Sequence, residues 1–146
     1  MSEAPRLSGG CLCGAVRFTA TPKSHNYGVC HCSMCRRWAA GPFMAIVCGD
    51  TVKFDKDADL GLYQSSAWAE RGFCKKCGTS LFYKFKGKDD YIVSTEAFDD
   101  TSDFKLVAEI YIDEKPANYA FANDTKKMTG AEVMAAVGPL QGGEEA

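Results

Sequence analysis

Residues 74–78 read Cys-Lys-Lys-Cys-Gly, and this short stretch decides how the chain folds. Two cysteines separated by two residues and followed by glycine form a tight turn that points both sulfurs at one tetrahedral metal ion. Such a pair supplies two of four ligands, so another segment has to supply the rest. The chain therefore has to fold so that two distant segments meet at one ion.

Composition and charge narrow the class of protein. At 146 residues the chain has the size of one domain with its own core, and 46% hydrophobic and 25% charged residues are typical of globular proteins. A net charge of -2 lacks the basic excess that attracts nucleic-acid phosphates, which disfavours a nucleic-acid partner. The sequence shows no secretion signal and no apolar run of the roughly 18 residues that cross a membrane. We therefore expect a cytoplasmic protein without a membrane partner.

Cysteine is the unusual residue, with eight in the chain. Seven of them form three groups: Cys11 and Cys13; Cys30, Cys32 and Cys35; and Cys74 and Cys77. A reducing cytosol disfavours a disulfide framework, and a bridge within the first group would close a very small, strained ring. Metal binding is therefore the expected role of the three groups.

Two pairings would complete a zinc site with four thiolates. In one, Cys32 and Cys35 join the third group, which leaves three thiols without a role. In the other, the first group joins the third, and the second group becomes an independent site with three ligands. This second pairing uses every clustered cysteine. Because four protein ligands are typical of structural zinc and three with an open position are typical of catalytic zinc, the count predicts one zinc ion of each kind.

The group with three thiolates favours a particular chemistry. Three anionic sulfurs weaken a divalent ion as a Lewis acid for making hydroxide. A further thiol at the open position would be deprotonated and stay nucleophilic, which suits attack on a small electrophile and hence carbon–sulfur bond formation. A second structural zinc, completed by His25, His31 or Cys48, is the alternative that the spacing leaves open.

Short segments rich in branched and aromatic residues predict a mainly β protein with antiparallel sheets. The predicted strands are Ala15–Thr19, Phe43–Val47, Thr51–Phe54, Leu81–Phe85, Tyr91–Ser94 and Lys105–Ile112. Alternation along the last strand places Leu106 on the core face and Glu109 on the wetter face. One helix is predicted near the C-terminus, as a lid over a sheet edge, because Thr129 and Glu132 form a capping box before a run that ends at Gly138-Pro139.

Several other side chains flank the cysteine groups. The basic ones are expected either to hold the carboxylates of a substrate or to be solvated charges that offset the anionic sulfurs: Arg36, Arg37, Arg71, Lys75 and Lys76. Trp38 and Trp68 are expected to pack in the core rather than to form a substrate wall. Ser65 and Ser66 are expected either to line a pocket or to end a strand.

Two residues are predicted not to bind metal. His31 lies between two candidate ligands in an extended segment, so alternation points it away from the ion. Cys48 follows Ile46 on one face of a predicted strand and is expected to be a small buried hydrophobic residue.

Three motifs resemble the signatures of one family. Residues 9–17 read GGCLCGAVR, residues 30–36 read CHCSMCR and residues 71–79 read RGFCKKCGT. In residue type, spacing and order they are similar to the motifs of the glutathione-dependent formaldehyde-activating enzyme family, also called the CENP-V/GFA family. The resemblance extends from about Gly9 to Tyr119, and Lys115-Pro116 is similar to a late motif of the family.

This resemblance implies an Mss4-like fold of folded antiparallel sheets with zinc sites and a short C-terminal helix. It assigns the first and third groups to a structural zinc ion and the second group to a catalytic one, two ions per chain. The implied activity is that of a carbon–sulfur lyase that joins glutathione, or a related thiol, to formaldehyde or another small electrophile. The domain is expected to span residues 9–138, between an N-terminal extension at 1–8 and a flexible tail at 139–146.

A function of another class stays open, namely a non-catalytic Mss4-like zinc module that binds a protein or a nucleic acid. A nucleic-acid-binding form would be expected to carry a basic face or tail. The sequence offers only short basic clusters such as residues 84–88, which Asp89 and Asp90 follow at once. Because the sequence lacks such a basic face or tail, we favour the enzyme.

An exposed sheet edge would also permit a homodimer.

Overall fold

The computed structural model describes residues 5–137, with eleven strands and two α-helices among them. In chain order the strands are β1 (Leu7–Gly10), β2 (Arg17–Ala20), β3 (Asn26–Cys30), β4 (Phe43–Gly49), β5 (Lys53–Lys56), β6 (Leu60–Gln64), β7 (Ala69–Cys74), β8 (Ser80–Phe85), β9 (Tyr91–Ser94), β10 (Lys105–Ile110) and β11 (Lys126–Met128). The helices are α1 (Ser33–Ala39) and α2 (Gly130–Val137), and two short 3₁₀ helices span Thr95–Ala97 and Ile112–Glu114. The predicted helix stop at Gly138-Pro139 and the expected tail at 139–146 lie outside the described residues.

The strands form two sheets. The small sheet has the order β1-β2-β5, and the large sheet has the order β11-β10-β3-β4-β9-β8-β7-β6. Neighbouring strands run antiparallel, except that β10 runs parallel to both β3 and β11. The predicted mainly β fold with a short C-terminal helix is confirmed, and the parallel pairs make one end of the large sheet mixed.

One apolar core joins the two sheets. Phe18 of the small sheet is 2% exposed and packs edge-on against Phe98, with ring centroids 5.4 Å apart. Ile46 and Phe82 belong to the same buried cluster from the large sheet. Burying one such side chain stabilises the fold by roughly 1.5–3 kcal/mol. Cys48 lies in this core as predicted, and burial raises the pKa of its thiol to about 12.

Helix α2 starts with the predicted capping box. The Thr129 amide donates to the Glu132 carboxylate at 2.7 Å, and the Glu132 amide donates to the Thr129 hydroxyl at 3.2 Å. Asp113 accepts a further hydrogen bond from the first residue of the helix, Gly130, at 2.8 Å. The helix contacts edge strand β11 and the 3₁₀ helix at 112–114, so it covers one edge of the large sheet.

The predicted orientation of the Glu109 side chain on β10 is wrong. This residue is 1% exposed rather than on a wet face. The pairing of β10 with β3 shifts register between Leu106 and Ala108, and such an irregularity reverses which side chains face the core. Because β10 also lies between two other strands, a buried Glu109 can reach partners on neighbouring segments.

We predict that Gly72→Ala destabilises the fold. A Cβ at this position of β7 would overlap the ring of Phe82, which is 2% exposed and cannot swing into solvent. Forcing such an overlap lowers the free energy of unfolding by about 1–3 kcal/mol. Urea unfolding followed by circular dichroism measures the change.

The matched control for this substitution is Gly28→Ala in β3. A Cβ there would lie 3.4 Å from the carbonyl oxygen of Ala108, which is an ordinary contact. This variant is expected to change the unfolding free energy by less than about 1 kcal/mol. Equal losses in the two variants would show that contact with Phe82 is not the cause.

Candidate metal sites and the adjoining cavity

Four cysteines from the first and third groups meet at one point. The sulfurs of Cys11, Cys13, Cys74 and Cys77 all lie within 4.8 Å of one another. The Cys13 sulfur is 3.7 Å from that of Cys11 and 3.8 Å from that of Cys74. Zinc–sulfur bonds of about 2.3 Å in a tetrahedron place sulfurs about 3.8 Å apart, so the four side chains fit one tetrahedral ion.

Hydrogen bonds hold these sulfurs in place. The backbone amide of Val16 donates to the Cys11 sulfur at 3.2 Å. Thr79 ties the two turns together, because its hydroxyl accepts from the Leu12 amide at 3.0 Å and lies 3.1 Å from the Cys77 sulfur. Hydrogen bonds from Thr79 lower the pKa of Cys77 to about 5, which favours the thiolate that a metal ion needs.

The second group forms a separate cluster of three. The sulfurs of Cys30, Cys32 and Cys35 lie within 4.8 Å of one another, at the junction between β3 and α1. Cys32 is the N-cap of α1, and its sulfur accepts the Cys35 amide at 3.4 Å. Of the two pairings considered from sequence, the structure places the first group beside the third and keeps the second group separate.

None of the three alternative fourth ligands joins this cluster. His25 packs against the ring of Phe104, and Cys48 is buried in the core. His31 points away from the cluster, as predicted, toward Glu109 and Tyr119. Within residues 5–137 the cluster therefore brings together three potential metal ligands, Cys30, Cys32 and Cys35.

Hydrogen bonds among the three thiols shift their pKa values in different directions. Hydrogen bonds from Cys30 and Cys35 lower the pKa of Cys32 to about 2, and the charge of Arg71 acts in the same direction. Hydrogen bonding to Cys32, then to Cys35, and burial raise the pKa of Cys30. The hydrogen bond with Cys30 lowers the pKa of Cys35. The hydrogen bond with Cys32 and burial outweigh this effect and raise the pKa of Cys35 to about 11. A thiolate is thus already favoured at Cys32.

A buried pair supports the backbone between the ligands. Nε2 of His31 donates to Glu109 at 2.8 Å, since an ionised carboxylate can only accept. Nδ1 of the same ring lies 2.9 Å from the Tyr119 hydroxyl, and Thr125 donates to the other carboxylate oxygen of Glu109 at 2.6 Å. Lys115 fixes the turn that presents Tyr119 by donating to its carbonyl oxygen. This network anchors the Cys30–Cys32 segment to β10.

A cavity of about 490 Å³ opens beside the group of three cysteines. Its lining includes all three sulfur-bearing residues and the buried side chains of Phe43 and Arg71. Ser33, Val47 and Glu114 also line it and are exposed, which marks its mouth. The volume lies within the range of small-molecule sites.

Arg71 is the one basic side chain of the predicted set that lines this cavity. It is 3% exposed, and its guanidinium lies over the rings of Trp38 and Tyr83, 5.2 and 5.1 Å from their centroids. Its Nη1 donates to the Cys35 sulfur at 3.5 Å. Of the two interpretations, Arg71 therefore offsets the anionic sulfurs, but as a buried cation rather than a solvated one.

The remaining basic residues lie elsewhere. Arg37, Lys75 and Lys76 are exposed, and the Arg36 guanidinium donates to the carbonyl oxygen of His31 at 2.8 Å. None of these side chains lines the described cavity, so the expectation that they gather substrate carboxylates there has no support from their positions.

The tryptophans and serines divide between packing and lining. Trp38 is half-buried and packs against Phe43, with ring centroids 5.3 Å apart. Trp68 instead lines the cavity, and its indole donates to the Tyr83 hydroxyl at 3.0 Å. Ser66 lines the cavity, whereas Ser65 does not.

Sequence reasoning missed Tyr111. It follows β10, lines the cavity and has a left-handed backbone with φ 56°, which is uncommon for a residue other than glycine. Burial and the negative charge of Cys30 and Cys32 raise the pKa of its hydroxyl. The sequence carries no signal for this conformation, because it arises where β10 turns into the next 3₁₀ helix.

Comparison with known proteins agrees with this geometry. The sequence profile of the family "Glutathione-dependent formaldehyde-activating enzyme" matches residues 6–114. This chain belongs to that family. No helix in residues 5–137 of this GFA-family protein is long and apolar enough to cross a membrane.

Two relatives and one solved structure illustrate the similarity. A Schizosaccharomyces pombe protein described as an uncharacterized lyase is 37% identical over 91% of this chain and 98% of its own length. A Halomonas elongata protein, provisionally named a glutathione-dependent formaldehyde-activating enzyme, is 34% identical over 52% of this chain and 54% of its own length. The match to the crystal structure of a Rhodobacter sphaeroides protein covers 69% of this chain and 100% of that chain. The TM-score is 0.56 and the sequence identity is 23%, so this match supports the fold alone.

We predict that Glu109→Gln destabilises the protein in a pH-dependent way. Burial raises the pKa of Glu109, but hydrogen bonds from Thr125 and His31 outweigh it, so the pKa lies below the unfolded value of about 4.3. Its stabilisation is therefore present above that value and lost as pH falls through the folded pKa. At pH 7 the substitution is expected to lower the free energy of unfolding by about 1.5–3 kcal/mol, with a smaller loss near pH 3.

The control is Asp124→Asn, which removes an exposed acid next to Thr125. Chemical unfolding at both pH values should show little change for this variant. A Glu109→Gln loss that is the same at pH 7 and pH 3 would contradict a role for the ionised carboxylate.

Proposed function

We propose that this protein is a zinc-dependent carbon–sulfur lyase that joins glutathione, or a related thiol, to formaldehyde or another small electrophile. The observation that supports this best is the group of three cysteines facing a cavity of about 490 Å³. Family membership and the names of the relatives point to the same reaction class.

The proposal assigns different roles to the two clusters. Cys11, Cys13, Cys74 and Cys77 would form a closed structural zinc site, because four protein ligands complete a tetrahedron. Cys30, Cys32 and Cys35 would hold a catalytic zinc ion with one position open. Zinc held there would keep a bound substrate thiol in its nucleophilic thiolate form near neutral pH.

Residues around the second cluster suit such a reaction. Arg71 places a permanent positive charge beside anionic sulfur, with Nη1 3.5 Å from the Cys35 sulfur. Apolar side chains such as Phe43 and Ile110 line part of the cavity, and a wall of low polarity strengthens electrostatic interactions beside it. Residues 9–138 would form this catalytic domain, in the reducing cytoplasm where free thiols persist.

The test is Cys35→Ser, assayed for formation of the glutathione–formaldehyde adduct. A free thiol with a pKa near 8.5 is only a few per cent ionised at pH 7, so loss of thiol activation is expected to lower the rate about 30-fold or more. Far-ultraviolet circular dichroism should show that the variant keeps its fold, because the four-cysteine cluster is intact.

The matched control is Cys48→Ala, which removes a cysteine from the core rather than from a cluster. It is expected to keep adduct formation while losing some thermal stability. Cys35→Ser activity equal to that of the wild type would contradict a catalytic role for the second cluster.

A further inference from the structure

Thiol addition in this cavity needs a proton donor on the cavity wall. A thiolate that attacks a carbonyl group leaves negative charge on the carbonyl oxygen, and this oxygen has to gain a proton to complete the adduct. Cys30, Cys32 and Cys35 line the cavity, and sulfurs that hold a metal ion are anionic. A second anion close to them is unfavourable, so the donor has to act as the C–S bond forms.

Most polar side chains on the lining cannot supply this proton. The Ser66 hydroxyl is closed to water, and the Trp68 indole already donates to the Tyr83 hydroxyl at 3.0 Å. The guanidinium of Arg71 attracts negative charge, but a guanidinium does not give up its proton in proteins. Two further polar side chains are exposed at the mouth: Ser33 and Glu114. Within residues 5–137, the phenols of Tyr83 and Tyr111 are the hydroxyl groups that remain on the inner wall.

The Tyr111 hydroxyl is both uncommitted and accessible. It makes no hydrogen bond to residues 5–137, yet it is not among the side-chain atoms that are buried without a partner, so water reaches it. The charges of Cys30, Cys32 and Glu114 act on this hydroxyl, and all three side chains line the cavity. A phenol keeps its proton at neutral pH and can give it to an alkoxide, which is a stronger base.

The backbone holds the Tyr111 ring in one place. Tyr111 has φ 56° and ψ 44°, a left-handed conformation that is strained for a residue with a side chain and that is found preferentially at functional sites. Its ring lies against Gly130, where a Cβ would come within 2.6 Å of the ring carbon Cε1. Asp113 fixes Gly130 in turn by accepting its amide hydrogen bond at 2.8 Å. These contacts fix the ring, and with it the hydroxyl on which the charges of Cys30 and Cys32 act.

We propose that Tyr111 is a catalytic residue of the thiol addition, whose hydroxyl binds the carbonyl oxygen of the electrophile and passes it a proton. The inference rests on the proposed function and names its proton donor. The thiolate electron pair forms the C–S bond as the C=O π pair moves onto oxygen, and that oxygen takes the phenolic proton. The phenolate then regains a proton from water, which replaces the one that the thiol released on binding. Thiol plus aldehyde thus gives the hemithioacetal without an oxidant or reductant.

The first test is Tyr111→Phe, which keeps the ring against Gly130 and removes only the hydroxyl. The zinc-loaded protein is assayed with glutathione and formaldehyde, and the uncatalysed rate is subtracted. We expect kcat to fall about 100-fold with little change in KM for glutathione, because the proton is transferred only in the transition state. An unchanged kcat would overturn the inference and leave the proposed function standing. A wild type that does not exceed the uncatalysed rate would overturn both.

The matched control is Tyr63→Phe, which removes a hydroxyl from a tyrosine that is 61% exposed on β6 and does not line the cavity. Its kcat should equal that of the wild type. Tyr83→Phe tests the other phenol on the inner wall. Equal losses in Tyr63→Phe and Tyr111→Phe, or a larger loss in Tyr83→Phe than in Tyr111→Phe, would overturn the assignment to Tyr111.

The second test measures binding without reaction. S-acetylglutathione carries a carbonyl oxygen two bonds from sulfur, as in the adduct, whereas S-ethylglutathione has a similar size and lacks that oxygen. Trp68 lines the cavity, so quenching of tryptophan fluorescence gives both dissociation constants. Tyr111→Phe is expected to weaken binding of S-acetylglutathione about fivefold through the lost hydrogen bond, and to leave that of S-ethylglutathione unchanged. An equal effect on the two probes, or none on either, would overturn the contact between Tyr111 and the oxygen.

Discussion

The structure depends on the meeting of two short cysteine turns that lie 61 residues apart, joined where the Cys13 and Cys74 sulfurs approach to 3.8 Å. One turn follows β1 of the small sheet, and the other lies between β7 and β8 of the large sheet. A metal ion bound by both would fasten the sheets together and contribute directly to folding. The apolar core between the sheets then closes around this point, and Cys11 and Cys74 are themselves part of the core.

The contact between the two cysteine turns also positions a charged residue in the cavity. Arg71 lies three residues before Cys74 on β7, and β7 pairs with β8 so that Arg71 is opposite Tyr83. Fixing the end of β7 therefore fixes a buried cation against an aromatic ring and beside the second cysteine cluster. A lone buried cation is unfavourable, but anionic sulfurs and two ring faces offset its desolvation. The four-cysteine cluster thus positions a residue that contacts the other cluster.

Much of this was predictable because the information is local. Cysteine spacing indicated both clusters, and the Thr129–Glu132 capping box gave the start of α2. Five strands and one α-helix were not predicted from the sequence: β1, β3, β6, β7, β11 and α1. Three of them lack local signals: β1 reads LSGG, β7 contains Glu70 and Arg71, and α1 uses a cysteine as its N-cap instead of the usual serine or aspartate. The buried state of Glu109 could not be seen either, because its partner His31 is 78 residues away and a register shift sets its direction. Sequence periodicity carries no information on such distant pairings.

The most direct measurement is the number of zinc ions per chain, by native mass spectrometry of freshly purified protein under conditions that retain weakly held metal. We predict two ions in the wild type, one in Cys35→Ser, and two in Cys48→Ala, because only the first substitution removes a cluster ligand. A single ion in the wild type with zinc in excess would contradict two independent clusters. It would leave the cavity without the metal site on which the proposed thiol chemistry depends.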